Sequence, residues 1–380
     1  MFTKHLQHLK RSDLLRTIAD RGSPQGRTVW INETPMLNFA SNDYLGLASN
    51  TELIEEAKRA MDKYGIGAGA SRLLSGGCIL HLELERRVAA FKDTPAALVF
   101  NSGYSANLSA IPSLATKDGA IFSDELNHAS IIDGCRLSGA EKFVYQHKNL
   151  THLSELLQAA DNPIKLVVTE SVFSMDGDIT DIRGIYELCK THNALLYIDD
   201  AHATGVIGNG KGSLAHFNIR PDDTIVQMGT FSKALGSVGG FIAASKTIID
   251  YLINCARGFI YSTALPVPAV AASLAAINYV EDHPEIIRRL CYNISNCKRL
   301  LLSKGVKVSD EETAIIPIYV DTVKDALRVS EHMSASGILA PAIRPPTVKQ
   351  PRIRISISAL HTEEDIELLT VYLFEALRCQ

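Results

Sequence analysis

Between Ala96 and Ala244 the chain alternates short apolar runs with helical stretches, and this alternation restricts the possible fold more than any other feature. Strands are predicted at Ala96–Phe100, Gly119–Ser123, Lys165–Thr169, Leu195–Ile198, Thr224–Met228 and Gly240–Ala244, with helices at Tyr104–Leu114 and Ile182–His192. That order predicts an α/β domain with a mostly parallel sheet, whose functional groups gather at the carboxyl ends of the strands. Beyond Pro284 the pattern changes to a long helix (285–303), a strand (314–320), a helix (323–336), a strand (352–358) and a final helix capped by Thr362, the order of a smaller α+β domain. Upstream, residues 3–20 predict one amphipathic helix, 27–39 one extended segment, and 51–64 a charged helix running into a glycine loop. The expected division is an N-terminal helix and extended segment over 1–45, a large α/β domain over 46–285 and a small α+β domain over 286–380.

At 380 residues, one small domain is excluded. Hydrophobic residues at 46% and charged residues at 21% describe an ordered soluble protein, and a formal charge of −4 gives no broad surface for nucleic acid or anionic membrane. Seven cysteines without a C-x-x-C pair offer no zinc or redox framework and suit a reducing cytoplasm, so no metal is expected. The N-terminus regains charge at Lys10-Arg11 before any apolar stretch, so no signal peptide is read. Gly258–Val280 is uncharged, but Pro266, Pro268, Asn278 and many alanines make it a buried helix behind a proline-broken loop, not a membrane span.

Two motifs compete for a ligand. Gly65-x-Gly67-x-x-Ala70 resembles a dinucleotide fingerprint, but that motif needs a preceding strand and here a helical pattern precedes it. A nicotinamide-dependent oxidoreductase is therefore set aside, and the loop is read as a tight turn. The stronger signal is Leu195-Leu196-Tyr197-Ile198-Asp199-Asp200-Ala201-His202, a carboxylate where an apolar strand stops, followed by Thr230-Phe231-Ser232-Lys233 at the next strand end. A buried carboxylate needs a cation, and a lysine among small residues suits a Schiff base with an aldehyde. Pyridoxal 5'-phosphate (PLP) supplies both a protonated ring nitrogen and an aldehyde. Asn101-Ser102-Gly103-Tyr104, between a strand and a helix, offers backbone N–H groups for a phosphate. Which of Asp199 and Asp200 faces the ligand depends on strand register.

Asn101-Ser102-Gly103-Tyr104-Ser105-Ala106-Asn107, Asn127-His128-Ala129-Ser130, Thr169-Glu170-Ser171-Val172-Phe173-Ser174-Met175-Asp176-Gly177-Asp178, Asp199-Asp200-Ala201-His202 and Thr230-Phe231-Ser232-Lys233 together resemble the α-oxoamine synthase family of fold-type I PLP enzymes, over nearly the whole chain. The resemblance implies a cytoplasmic homodimer that joins an amino acid, L-alanine here and glycine in some relatives, to an acyl thioester of coenzyme A or a carrier protein, with loss of carbon dioxide. It implies Lys233 as cofactor anchor and α-proton base, Asp199 at the pyridine nitrogen, His202 at the phenolic oxygen and His128 stacked on the ring and able to bond the thioester oxygen. Ser102, Gly103, Tyr104, Ser174 and Thr230 would complete the cofactor site, with Ser262 or Thr263 reaching the neighbouring subunit's phosphate. For substrate, Arg354 and Asn42 would take the amino-acid carboxylate, and Arg16 and Thr347 the acyl chain; Arg344 is left open. The alternation Arg352-Ile353-Arg354-Ile355 equally describes an edge strand with isoleucines inward and arginines outward.

Overall fold

The protein is described by a computed structural model covering residues 2–378. Its described residues separate into two compact units: residues 49–174 with 179–287, and residues 2–48 with 175–178 and 288–378. The second boundary falls within the helix Glu285–Ser303.

The larger unit is built on a seven-stranded sheet of β1 (Ala96–Phe100), β2 (Gly119–Asp124), β3 (Glu141–Tyr145), β4 (Ile164–Glu170), β5 (Leu195–Asp199), β6 (Ile225–Thr230) and β7 (Gly240–Ala244). Their spatial order is β1-β7-β6-β5-β4-β2-β3, and β7 alone runs antiparallel to its neighbours. Successive strand residues feed two separate cores. Leu98, Ile121, Leu166, Val168, Tyr197 and Val226 enter one, which includes Ala106 and Ile111 of the helix Gly103–Leu114. Ala120, Phe122, Val167, Leu196 and Ile198 enter the other, with Leu153, Leu157, Ile182 and Ile185 from the helices on the opposite face. A sheet covered on both faces buries nearly every strand residue, which explains why the strands read as continuous apolar runs.

Asn50 caps the helix Thr51–Tyr64 by accepting the backbone N–H groups of Glu52 and Leu53, and Gly65 ends it at φ 80°. The Gly65–Ala70 loop thus follows a helix, the wrong context for a dinucleotide fingerprint. The uncharged stretch forms the helix Val267–Asp282, and among the described residues no helix is long and apolar enough to cross a membrane.

The smaller unit corrects two expectations and one alternative reading. The first helix spans Phe2–Arg11, not 3–20. Asp13 turns left-handed at φ 57°, and Arg344 donates to the carbonyls of Asp13 and Leu15 at 2.8 Å each, which a continuing helix would need for itself. The segment 27–39 is not one extended run but a hairpin of Thr28–Ile31 with Thr34–Asn38, reversed where Asn32 and Glu33 both take positive φ. Ile338–Leu339 joins that hairpin in parallel. A second sheet pairs Arg352–Ser356 antiparallel with Ile315–Tyr319 on one side and Ala342–Ile343 on the other. Arg352–Ser356 is therefore central and wholly buried, so the edge-strand reading fails. Thr362 caps the last helix, Glu363–Arg378, accepting the Asp365 N–H while the Asp365 carboxylate accepts that of Thr362.

Candidate active site

In the larger unit, a cavity of about 230 Å³ opens where β1, β2, β4, β5 and β6 end. Ser102, Gly103, Tyr104, His128, Asp199, His202, Thr230 and Lys233 all line it, eight of the nine residues expected to meet a cofactor; Ser174 is not among the lining residues. Each arrives for a local reason. Ser102 caps the helix Gly103–Leu114 by accepting the Ser105 N–H at 3.0 Å, leaving the helix start facing the cavity. The close fit of this helix start to β7 requires Gly240, where a side chain would meet the Gly103 nitrogen at 2.6 Å. His128 caps the helix Ala129–Leu137, its Nδ1 bonding Ser130 Oγ at 2.7 Å. Thr230 ends β6, donating to the Gly239 carbonyl at 2.7 Å.

Register decides between the two aspartates. The Asp199 carboxylate accepts from Asn107 Nδ2 at 2.8 Å and from the Ala201 N–H at 3.0 Å, and faces the cavity. Asp200 turns away into a fully buried ion pair with Lys92 at 2.8 Å and accepts from Ser171 Oγ at 2.6 Å. Asn107, Ser130 and Glu170 also line the cavity and were not singled out from the sequence. Asn107 could have been found, because it lies one helical turn beyond Gly103, on the same helix face.

Burial raises the Asp199 carboxyl above its ordinary range, while Lys233, the Asn107 hydrogen bond and the Ala201 N–H oppose the rise. Lys233 Nζ lies 2.8 Å from His202 Nε2. His128 keeps part of its surface open to solvent, yet the atoms packed around it hold its imidazole below its usual range, so the ring is neutral near pH 7. The donor set fits PLP: a helix start for the phosphate, a buried carboxyl group for the ring nitrogen, a primary amine for the aldehyde and an uncharged aromatic ring for its face. A bare Glu170 Oε1, buried without a hydrogen-bond partner, marks a polar requirement that the protein alone leaves unmet.

Asn101 donates to Ser262 Oγ at 2.9 Å and to the Thr263 carbonyl at 2.8 Å, tying both predicted phosphate contacts to the β1 end. In the smaller unit, Arg354 is buried and donates to Ser356 Oγ at 2.8 Å, Asn42 Oδ1 at 3.1 Å and Tyr44 Oη at 3.3 Å, so Arg354 and Asn42 are brought together. Arg16 Nη2 meets Thr347 Oγ1 at 3.1 Å, and both side chains are exposed. Arg344, left open by sequence, binds the turn that precedes Arg16. Among the described residues no cluster of three metal-ligating side chains occurs.

Comparison with known proteins agrees with this architecture. The chain is 48% identical over 371 residues to a protein of Thermodesulfovibrio yellowstonii provisionally named an 8-amino-7-oxononanoate synthase, covering 97% of this chain and 96% of that one. The structure matches serine palmitoyltransferase from S. paucimobilis, described with a bound PLP–myriocin aldimine, at TM-score 0.94 and 28% identity over 99% of this chain and 96% of that one. It also matches 8-amino-7-oxononanoate synthase from Francisella tularensis at TM-score 0.78 and 30% identity over 90% of this chain and 97% of that one. The fold is that of the fold-type I PLP-dependent transferases. With the model for aminotransferase class I and II matching residues 34–373, the chain belongs to that family.

Proposed function

We propose that the protein is a PLP-dependent acyltransferase that condenses L-alanine with a pimeloyl thioester, of coenzyme A or a carrier protein, to 8-amino-7-oxononanoate, carbon dioxide and free thiol, in biotin synthesis. The observation that carries the reading is a cavity in which an amine, a buried carboxylate and a neutral imidazole converge at the strand ends of a chain 48% identical to a relative of that provisional name. Bound PLP supplies an aldehyde for a primary amine and a protonated ring that accepts the electron pair left when a proton leaves the α-carbon.

The protein's own groups then divide the work. Lys233 anchors the cofactor and, with its amine beside His202, removes and returns the α-proton. Asp199 holds a proton on the ring nitrogen, oriented by Asn107, which in turn accepts from Tyr197 Oη at 2.7 Å. The start of the helix Gly103–Leu114 binds the phosphate. His128 covers the ring and bonds the thioester oxygen where negative charge develops. Arg354 and Asn42 take the alanine carboxylate, and Arg16 with Thr347 takes the far carboxylate of the acyl chain. In the balance of the reaction, a bond forms between the alanine α-carbon and the acyl carbonyl carbon, the carbon–sulfur bond breaks to release thiol, and the alanine carboxylate leaves as carbon dioxide. We infer a cytoplasmic homodimer, with Ser262 and Thr263 close to the cofactor phosphate of the neighbouring subunit.

The structural match to a serine palmitoyltransferase and the resemblance to glycine-using relatives make the amino acid and acyl chain the points to test. Carbon dioxide and thiol release, measured for alanine, glycine or serine with pimeloyl, acetyl or palmitoyl thioesters, should be fastest for alanine with pimeloyl thioester. Faster turnover of glycine with acetyl-CoA would make the protein a glycine C-acetyltransferase instead.

A further inference from the structure

Glu170 is the last residue of β4 and 3% exposed, and it lines the same cavity as Asp199 and Lys233. In the sheet register it lies directly beside Asp199 of β5. Two carboxyl groups therefore enter one cavity. Its main chain is fully engaged: the N–H donates to Asn127 Oδ1 at 3.0 Å and the carbonyl accepts from Thr180 Oγ1 at 2.8 Å. The backbone N–H groups of His128 and Ser174 bond the carboxyl group, yet Oε1 has no partner. A buried oxygen without a partner is destabilising, so its retention in a ligand-sized cavity calls for a ligand atom.

We propose that Glu170 is a further residue of the active site, whose Oε1 hydrogen-bonds an oxygen of the cofactor or substrate held there. The inference rests on the PLP reading above. Chemistry decides the direction of the bond. Burial first, and the Asp199 charge second, push the Glu170 carboxyl up to about 8, against the pull of Lys233 and of the two backbone N–H groups. A carboxyl raised that far keeps its proton near pH 7, so Glu170 donates it. The charged and titratable groups lining the cavity with it are Asp199 from β5, Lys233 and His202 from the loops after β6 and β5, His128 from the residue before its helix, and Tyr104 from the start of the helix after β1. A role limited to clamping the backbone of His128 and Ser174 would leave Oε1 idle and the cofactor indifferent to Glu170 ionisation.

The test loads wild type, Glu170→Gln and Glu170→Leu with PLP and follows the visible band of the bound cofactor against pH, with circular dichroism to establish folding. Wild type should show a transition with a midpoint near 8 that is missing in Glu170→Gln, whose amide keeps a neutral donor. Glu170→Gln should hold PLP within about threefold of wild type, whereas Glu170→Leu should lose on the order of tenfold in PLP affinity, or in KM if the acceptor belongs to the substrate. The same transition in Glu170→Gln as in wild type overturns the proposal, as do unchanged PLP affinity and KM in a folded Glu170→Leu. Absence of any cofactor band in wild type would instead defeat the PLP reading itself.

Discussion

The cavity of the larger unit and the arginine-bearing segments of the smaller one assemble by different routes. In the larger unit, eight of the nine expected cofactor groups stand at or just beyond the end of a strand, and the regular spacing of a mostly parallel sheet brings them into one cavity. In the smaller unit, Arg16 and Thr347 are 331 residues apart and Asn42 and Arg354 are 312 apart, and all but Arg354, which lies on a central strand, come from irregular segments. The first route buries its carboxyl groups at the strand ends, where the proposed reaction electronics reside. The second supplies two arginine arms, the exposed Arg16 and the buried Arg354, for the proposed substrate contacts. Changes in the cavity should therefore depress turnover with every substrate, and changes in the arms should affect one substrate and its KM.

The largest effect expected is from Lys233→Ala, which removes the proposed anchor and base together: turnover should fall by about 10³-fold or more while the far-ultraviolet circular dichroism stays native. Borohydride reduction should fix PLP to wild type and not to the variant, and an adduct mapped to another lysine would break the comparison at its centre. Next comes acid lability in the smaller unit. His361 stacks on Phe39 at 4.0 Å, its Nδ1 accepts the Ser358 N–H, and burial lowers its imidazole to about 4. The unfolded chain takes up that proton near pH 6.5 and the native protein only near 4. Stability is thus fully present above about pH 6.5 and falls by up to about 3 kcal/mol as pH drops through the window. Denaturant titrations at pH 7 and pH 5 should show about 2 kcal/mol of that loss in wild type and much less in His361→Gln.

Asp199→Asn should bind PLP yet lose about 10- to 100-fold in kcat with all acyl donors, since an amide cannot replace the charge-assisted bond to the ring nitrogen. Equal losses across a panel of thioesters would sharpen the contrast with the arms. The smallest effect belongs to Arg16→Ala. An exposed guanidinium is worth no more than about 1 kcal/mol, so KM for a pimeloyl thioester should rise only about fivefold, with no change for a neutral acyl chain of equal length. A uniform loss of kcat would place Arg16 with the cavity residues instead.

Strand ends made the cavity legible in the sequence. An apolar run that stops at Asp199 or Thr230 announces both the strand and the group it presents, because a two-sided buried sheet leaves polar side chains room only at its margins. Asn107 and Glu170 were passed over because each sits in a segment that local pattern already explained, a helix turn and a strand end. The first helix was read too long for the converse reason. Its amphipathic spacing continues past Arg11, but Arg344, more than 300 residues away, takes the carbonyls that would have extended it.

The sequence by itself determined the α/β order, the lysine and carboxylate at successive strand ends and the chemistry they imply, since these depend on periodicity and residue type over a few positions. Only the tertiary structure decided that Asp199 and not Asp200 faces the cavity, that Arg354 lies on a central strand, and that Arg16 meets Thr347. Adjacent strand residues point to opposite faces, so the choice between the aspartates was settled by where Asn107 and Lys92 wait for them, and no local pattern records a partner about a hundred residues away.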